Sequence, residues 1–479
     1  MRPRTILAFC CGLFSLGGQT LLLAECLATV AGGEIWISSL MGVWYLAAAI
    51  GSLGVRRIRG EASRSIETAE VLSLTSIPVL CAQYLGIVLL GGGDDSILPM
   101  HQILRWSVLI AGPGGLLSGS LLAILCRRND EEASPIAGVC ISAALGGIVG
   151  GTSTSFSLHQ GLRMPAILLW GAIVVCFAVT AATRIRPNRK LRWVGAACLA
   201  FLLMALILRV DIPATQAAHD RHWSQLVPGA SVDGSFRTAQ AEYLCGTDED
   251  RWVVVREGGV HDVVGDRTQA GKIAAMALSQ NFTAQRVLVI GQGLSVCERF
   301  LKSPNVNAVD WFDPDPGYIQ ALQTRLPQAF QISDPRFHCP TDEIRTVLAD
   351  KPATYDVVVV NLPRVVDGRL HEFSTVEFFE RIKRSLRPLG VVVVGIVGDR
   401  NAPGEPGHQG AWVESTLDAV FAQTLVTPDG PRTFFISAAE AYLQVSPISL
   451  QTRFGLIENA GEIYPVESVE QVYRPDLSV

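Results

Sequence analysis

Seven apolar runs occupy the first 210 residues, at 6–27, 35–55, 71–90, 106–125, 136–156, 164–182 and 191–210. Each approaches the ~20 residues that a helix needs to cross a bilayer. Backbone in lipid must satisfy its own hydrogen bonds, and a succession of helices joined by short polar links does so. Soluble core helices do not recur in this way, so residues 1–210 read as an α-helical multipass membrane domain of about seven helices. The first run, preceded by Arg2 and Arg4, also has the outline of a signal peptide, but Glu25 sits poorly before a cleavage site and no small-x-small site stands out.

Charge on the links gives an orientation. Arg2 and Arg4, then Arg56, Arg57, Arg59 and Arg64, then Arg127 and Arg128, then Arg184, Arg186, Arg189, Lys190 and Arg192 fall on alternate links, and such links face the cytoplasm. Seven crossings then put everything after residue 210 on the extracytoplasmic side, a parity that one miscounted helix reverses. Polar residues within the runs are few, chiefly Gln19, Glu25 and Gln83. Glu25 marks a path for an ion or pairs with a neighbouring helix near its own helix end. Glycines such as Gly112, Gly114, Gly115 and Gly119, or Gly146, Gly147, Gly150 and Gly151, suit close helix packing.

The remainder of the chain has a different composition. Up to residue 210 there are 16 Lys and Arg against 10 Asp and Glu; after it, 23 against 34. An acidic segment without a basic stripe gives no footing for nucleic acid. Eight of the 11 cysteines lie in the apolar half, and Cys245, Cys297 and Cys339 show no CxxC spacing, so neither a metal site nor a disulfide framework is indicated.

After a partly polar link at 211–227, alternation over 231–266, with a Gly258-Gly259 turn, reads as a small β-hairpin subdomain within 228–270. From residue 280 to 440 the pattern is α/β, a Rossmann-like doubly wound sheet. RVLVI at 286–290 is a buried strand, Gly291-Gln292-Gly293 a turn, 294–302 a helix, and 306–312 a strand ending at Asp313. YDVVVV at 355–360, a helix over 374–386 and a strand at 390–396 follow. Segments 425–427 and 433–437 resemble the antiparallel strand pair that closes a methyltransferase-like sheet, and 441–479 reads as a peripheral appendage. Gly291 and Gly293 let a ligand approach the backbone, and Asp313, at the end of the next strand, suits a ribose diol. Val296 occupies the place of the third glycine of the dinucleotide fingerprint, so a structural turn beside a solvated Asp is the competing account.

Taken in order, RVLVIGQGLSVCERFLKSPNVNAVDWFDPDPGYI, FHCPTDEIRTVL, YDVVVVNLP and FSTVEFFERIKRSLRPLGVVVV resemble the spermidine synthase (polyamine aminopropyltransferase) family, whose fold is that of class I methyltransferases. QTLLLAECLATVAGGEIWISSLMGVWYLAAAIGSLGVRR is similar to the first helix pair of bacterial fusions between a multipass membrane domain and a spermidine synthase-like domain. The resemblance implies a bacterial inner-membrane location and, as among soluble relatives, a homo-oligomer. It implies that Gly291 and Gly293 line the donor, decarboxylated S-adenosylmethionine or S-adenosylmethionine, that Asp313 holds its ribose, and that Asp342 faces its adenine. A carboxylate at a helix N-terminus is the plainer account of Asp342.

The expected catalytic carboxylates are missing. Asn361 stands at the position of the family's catalytic acid, followed by Leu362, Pro363 and Arg364, and Leu294 replaces an acidic residue of the glycine loop. Asn361 cannot accept a proton near neutral pH, and Arg364 repels a diamine if it enters the pocket. Asp367, His371 and Glu372 follow as substitutes or as a solvated loop, while His261 and His338 read as isolated surface or strand-end residues. Three readings stay open. One is a membrane-bound transferase moving an aminopropyl or methyl group to an unidentified acceptor; another is a non-catalytic sensor, scaffold or transport-associated protein with a degenerate nucleoside site. A transporter would need polar pore-lining residues that these helices mostly lack.

Overall fold

The computed structural model describes residues 3–29, 33–57, 62–90, 100–126, 136–160, 162–185, 189–238, 240–256, 259–340, 344–350, 352–362, 370–397, 409–429, 432–440 and 443–473. The chain divides into two compact units, Met1–Pro228 and Gly229–Val479.

The first unit is helical: α1 (Pro3–Thr29), α2 (Gly33–Arg57), α3 (Ala62–Leu90), α4 (Met100–Leu125), α5 (Ile136–His159), α6 (Met164–Ile185), α7 (Arg189–Ile207) and α8 (Asp211–Leu226). The first seven are long and apolar enough to cross a membrane. Helix α8 replaces the link expected at 211–227; it is polar and begins on Asp211, whose charge favours a helix N-terminus. Helix α1 packs along α5, and α2 along α4. The glycines of these helices explain the closeness: a Cβ on Gly146 would overlap the carbonyl of Phe9, and one on Gly119 the carbonyl of Ala48. Gln83, nearly fully buried, donates from Nε2 to the Ile110 carbonyl of α4 at 2.5 Å, and α4 continues through Pro113.

The second unit begins with a four-stranded antiparallel meander, β1 (Ser231–Arg237), β2 (Glu242–Asp248), β3 (Arg251–Arg256) and β4 (Gly259–Val264). It is larger than the hairpin expected, because the chain also turns at Thr238, whose hydroxyl accepts from the backbone of Gln240 and Ala241. Next come α9 (Arg267–Gln280), β5 (Arg286–Gly291), α10 (Leu294–Leu301), β6 (Ala308–Phe312), α11 (Pro316–Arg325), β7 (Phe337–His338), α12 (Ile344–Asp350), β8 (Tyr355–Asn361), α13 (Val376–Ser385), β9 (Leu386–Val397), α14 (Gln409–Val420), β10 (Thr424–Asp429), β11 (Arg432–Ala438) and α15 (Pro447–Gly455).

The main sheet has the order β10-β11-β9-β8-β5-β6-β7, parallel from β9 to β7 and antiparallel at β11 and β10. Side chains of successive strand residues alternate between faces, and both faces are covered. Val287, Val289, Val357 and Val359 join one core with α9 and α10, while Leu288, Ile290, Val358 and Val360 join another with α13 and α14. The segment expected as a peripheral appendage contributes Leu450, Phe454, Ile463 and Val469 to the first core. The chain leaves β5 toward β6 and returns to β8 on its other side, so the order reverses between β5 and β8. At such a reversal open α/β sheets bind their ligands, beyond the carboxyl ends of the strands.

Candidate functional site

The candidate site lies where β5, β6 and β8 end. Strand β5 finishes at Gly291, whose φ of +89° favours glycine. A Cβ there would stand 2.5 Å from the Asn361 carbonyl oxygen, and one on Gly293 2.6 Å from Trp311 Nε1. The two glycines thus admit the protein's own atoms: Gln292 N donates to Asn361 O at 2.7 Å, and Trp311 Nε1 donates to Gly291 O at 2.9 Å. Gly293 then caps α10.

Asp313 follows β6 and is 1% exposed. Its Oδ1 accepts from Asp315 N at 2.8 Å. Its Oδ2 lies 3.3 Å from His261 Nε2 but out of line for a hydrogen bond, so the contact is an ion pair only with His261 protonated. Asp315 starts α11, accepting from Gly317 N at 3.0 Å, and also takes the hydroxyls of Thr238 at 2.5 Å and Tyr243 at 2.8 Å. Burial, with Asp313 and Asp315 adding to it, holds the Tyr243 phenol well above its ordinary acidity range.

His261 is not the surface residue expected from sequence. It is 3% exposed and packs edge-on against Tyr243 and Tyr318, with ring centroids 5.2 and 4.6 Å away. Strand pairing passes from Val255 opposite Val260 to Val254 opposite Asp262, which leaves His261 as the extra residue of a β-bulge. Bulges re-aim side chains, and here two consecutive polar residues are both buried. Asp262 Oδ2 has no hydrogen-bond partner. Burial pushes the Asp262 carboxyl up to about 7; Asp313 adds to this, while His261, the backbone N–H of Val263 and Arg432 oppose it. The sequence signal for this pair was VHDVV, two charged-type residues inside an apolar strand.

Asn361, 4% exposed, ends β8. Its Nδ2 donates to the Gln292 carbonyl at 2.8 Å, and its Oδ1 accepts from Arg432 Nη1 at 3.2 Å. Arg432 opens β11, reaches across β9, and also donates from Nη2 to Gln292 Oε1 at 3.2 Å. An amide suits position 361 because one end must donate and the other accept. Nothing in the residue pattern pointed to Arg432.

Gly291, Gly293, Asp313 and Asn361 therefore lie together at neighbouring strand ends, whereas Asp342, with Pro363, Arg364 and Asp367, lies outside the described residues. Leu294 is buried at the start of α10, Glu372 is ion-paired with Arg345 on the surface, and His338 lies on edge strand β7 beside Asp310. Among the described residues no group of three or more His, Cys, Asp or Glu is arranged to hold a metal.

The family model for the spermine/spermidine synthase domain matches residues 269–396. The chain is similar to polyamine aminopropyltransferase 2 of Streptomyces coelicolor, with 26% identity over 382 residues, covering 74% of this chain and 67% of that protein. It is also similar to the polyamine aminopropyltransferase of Mycobacterium tuberculosis, with 27% identity over 405 residues, covering 80% and 74%. Both matches are longer than Gly229–Val479, so they extend into the helical unit. Among solved structures, spermidine synthase from Thermotoga maritima aligns with a TM-score of 0.43 and 17% identity, over 51% of this chain and 84% of that one. Human methyltransferase-like protein 13 in complex with SAH aligns with a TM-score of 0.31 and 17% identity, over 44% and 95%.

Proposed function

We propose that this chain is a membrane-anchored transferase. Helices α1–α7 cross the bilayer, and the site at β5, β6 and β8 takes a sulfonium nucleoside donor of the S-adenosylmethionine type. An aminopropyl or methyl group then passes to an acceptor not yet identified. The observation that carries this reading is the buried Asp313 Oδ2, which has no hydrogen-bond partner and lies at the end of the strand after the glycine turn. A buried carboxylate oxygen in that condition is costly, and a ribose hydroxyl is a suitable donor to it. His261 lies against this carboxylate and Tyr318 against His261, so a donor that reaches Asp313 Oδ2 displaces the imidazole.

The chemistry asks little of the protein beyond alignment. An unprotonated nucleophile attacks the carbon bonded to sulfur, that carbon–sulfur bond breaks, and the sulfur leaves as a neutral thioether. The nucleophile's surplus proton needs an acceptor. Asn361 cannot serve, whereas Asp262, near half-protonation at neutral pH, has the acidity suited to the task.

Isothermal calorimetry on the detergent-solubilised chain tests the reading. Binding of S-adenosylmethionine or its decarboxylated form, lost in Asp313→Ala, is expected; absence of binding to both removes it. A second reading, a non-catalytic ligand-binding module, is favoured by Asn361, whose amide is held at both ends by Gln292 and Arg432. Donor binding without release of thioether product over a panel of diamines and other amines would select that second reading.

A further inference from the structure

Arg432 places a positive charge on the glycine turn itself. Its guanidinium has five N–H donors in a fork, and the hydrogen bonds it makes go to two neutral amide oxygens, Asn361 Oδ1 and Gln292 Oε1, both at 3.2 Å. The carboxylates nearest it electrostatically are Asp262, Asp266 and Asp429. Asp429 is paired with Lys272 at 2.6 Å, and Asp266 caps α9 by accepting from Gln269 N at 3.1 Å. Asp262 is partly protonated at neutral pH. Among the described residues none of these three carboxylates takes a hydrogen bond from the guanidinium, which keeps N–H donors beyond the two used on the amide oxygens.

The strand order sets its distance from the ribose site. Asp313 ends β6, the glycine turn ends β5 and Asn361 ends β8, three neighbours in the sheet. With strands ~4.8 Å apart, Asp313 and Asn361 are separated by roughly 10 Å, a span that a methionine tail attached to the ribose can cover. At its far end such a tail carries either a carboxylate and an ammonium, or, after decarboxylation, an ammonium alone. A guanidinium binds a carboxylate through two parallel hydrogen bonds, and it repels a donor that carries two positive charges and no negative one.

We propose that Arg432 is the specificity-determining residue of this site and selects the carboxylate-bearing donor, S-adenosylmethionine, over its decarboxylated form. The inference rests on the donor reading above and adds the donor's chemical class. It also changes the group to be transferred: the tail of this donor carries the carboxylate, so its products are methylated or 3-amino-3-carboxypropylated acceptors rather than aminopropylated ones.

Calorimetry of the full chain with three ligands tests it: S-adenosylmethionine, decarboxylated S-adenosylmethionine and 5′-methylthioadenosine, which lacks the tail charges. The wild type is expected to bind S-adenosylmethionine about tenfold or more tightly than the decarboxylated form. Arg432→Gln should abolish that ratio, and Arg432→Lys should keep part of it. Retained binding of 5′-methylthioadenosine shows that the variant is folded. Equal or tighter binding of the decarboxylated donor by the wild type overturns the inference, as does a ratio that survives Arg432→Gln. If 5′-methylthioadenosine binds without any carboxylate preference, only the inference fails; if none of the three binds, the donor reading fails with it.

Discussion

Asp262 has a carboxyl acidity that makes the stability of the α/β unit depend on pH. Its folded value, about 7, lies above the ordinary 3.8, so the folded chain holds this proton more tightly than the unfolded chain. Stability then falls as pH rises from about 4 to 7, and above that the full cost, about 4 kcal/mol at most, is present. Asp262→Asn is expected to raise the thermal midpoint at pH 8 relative to wild type, with the gap closing toward pH 4. A gap independent of pH would place Asp262 in an environment different from the one described. Gly291 gives a second prediction at this scale. Alanine there must adopt φ near +89° with its Cβ 2.5 Å from the Asn361 carbonyl. A loss of about 2–3 kcal/mol in stability is expected from denaturant or thermal unfolding. Gly291, Gly293 and Asp313 were legible in sequence because glycine turns and strand-end carboxylates have local signatures. His261 was misread because a single residue gives no sign of a bulge, which exists only as a mismatch between two paired strands.

At the level of elements, the seven apolar helices and strands β5, β6, β8 and β9 of the main sheet were readable from period and length alone, whereas the two-residue β7 was not. The tight helix pairs depend on contact, since glycines that look alike in sequence have different neighbours. A side chain on Gly146 would strike the backbone of α1 at Phe9, whereas nothing lies within 4 Å of a Cβ on Gly138, two turns earlier in the same helix. Gly146→Leu is expected to lower the thermal midpoint of the detergent-solubilised chain by several degrees, and Gly138→Leu to leave it nearly unchanged. Equal effects would mean that α1 and α5 do not meet at Gly146. The link at 211–227 failed as a loop reading because a polar composition describes an exposed helix as well as a loop. The residues after 441 failed as a peripheral reading because four apolar side chains scattered among polar ones show their common core only once α9 and α15 are in place.

For the whole molecule, the two units have separate cores: the clusters around β5–β9 contain no residue from before Phe236. Residues 229–479 expressed alone are therefore expected to unfold cooperatively; a non-cooperative melt would show that the helical unit completes their fold. Orientation is a second property at this scale. With seven crossings and the arginine-rich links inside, a phosphatase reporter joined after Val479 should be active outside the cytoplasm and a fluorescent one dark. The reverse result would change the count of crossings by one. The sequence by itself determined the seven helices, the parallel sheet and the placement of Gly291, Gly293 and Asp313 at strand ends, because these follow from local periodicity and turn chemistry. Tertiary structure alone decided that His261 closes on Asp313 and that Arg432 clamps Asn361 and Gln292, residues 71 and 140 positions away from it. Such pairs are fixed by the order in which strands pack, and a local pattern records which face of a strand is buried but not which strand lies beside it.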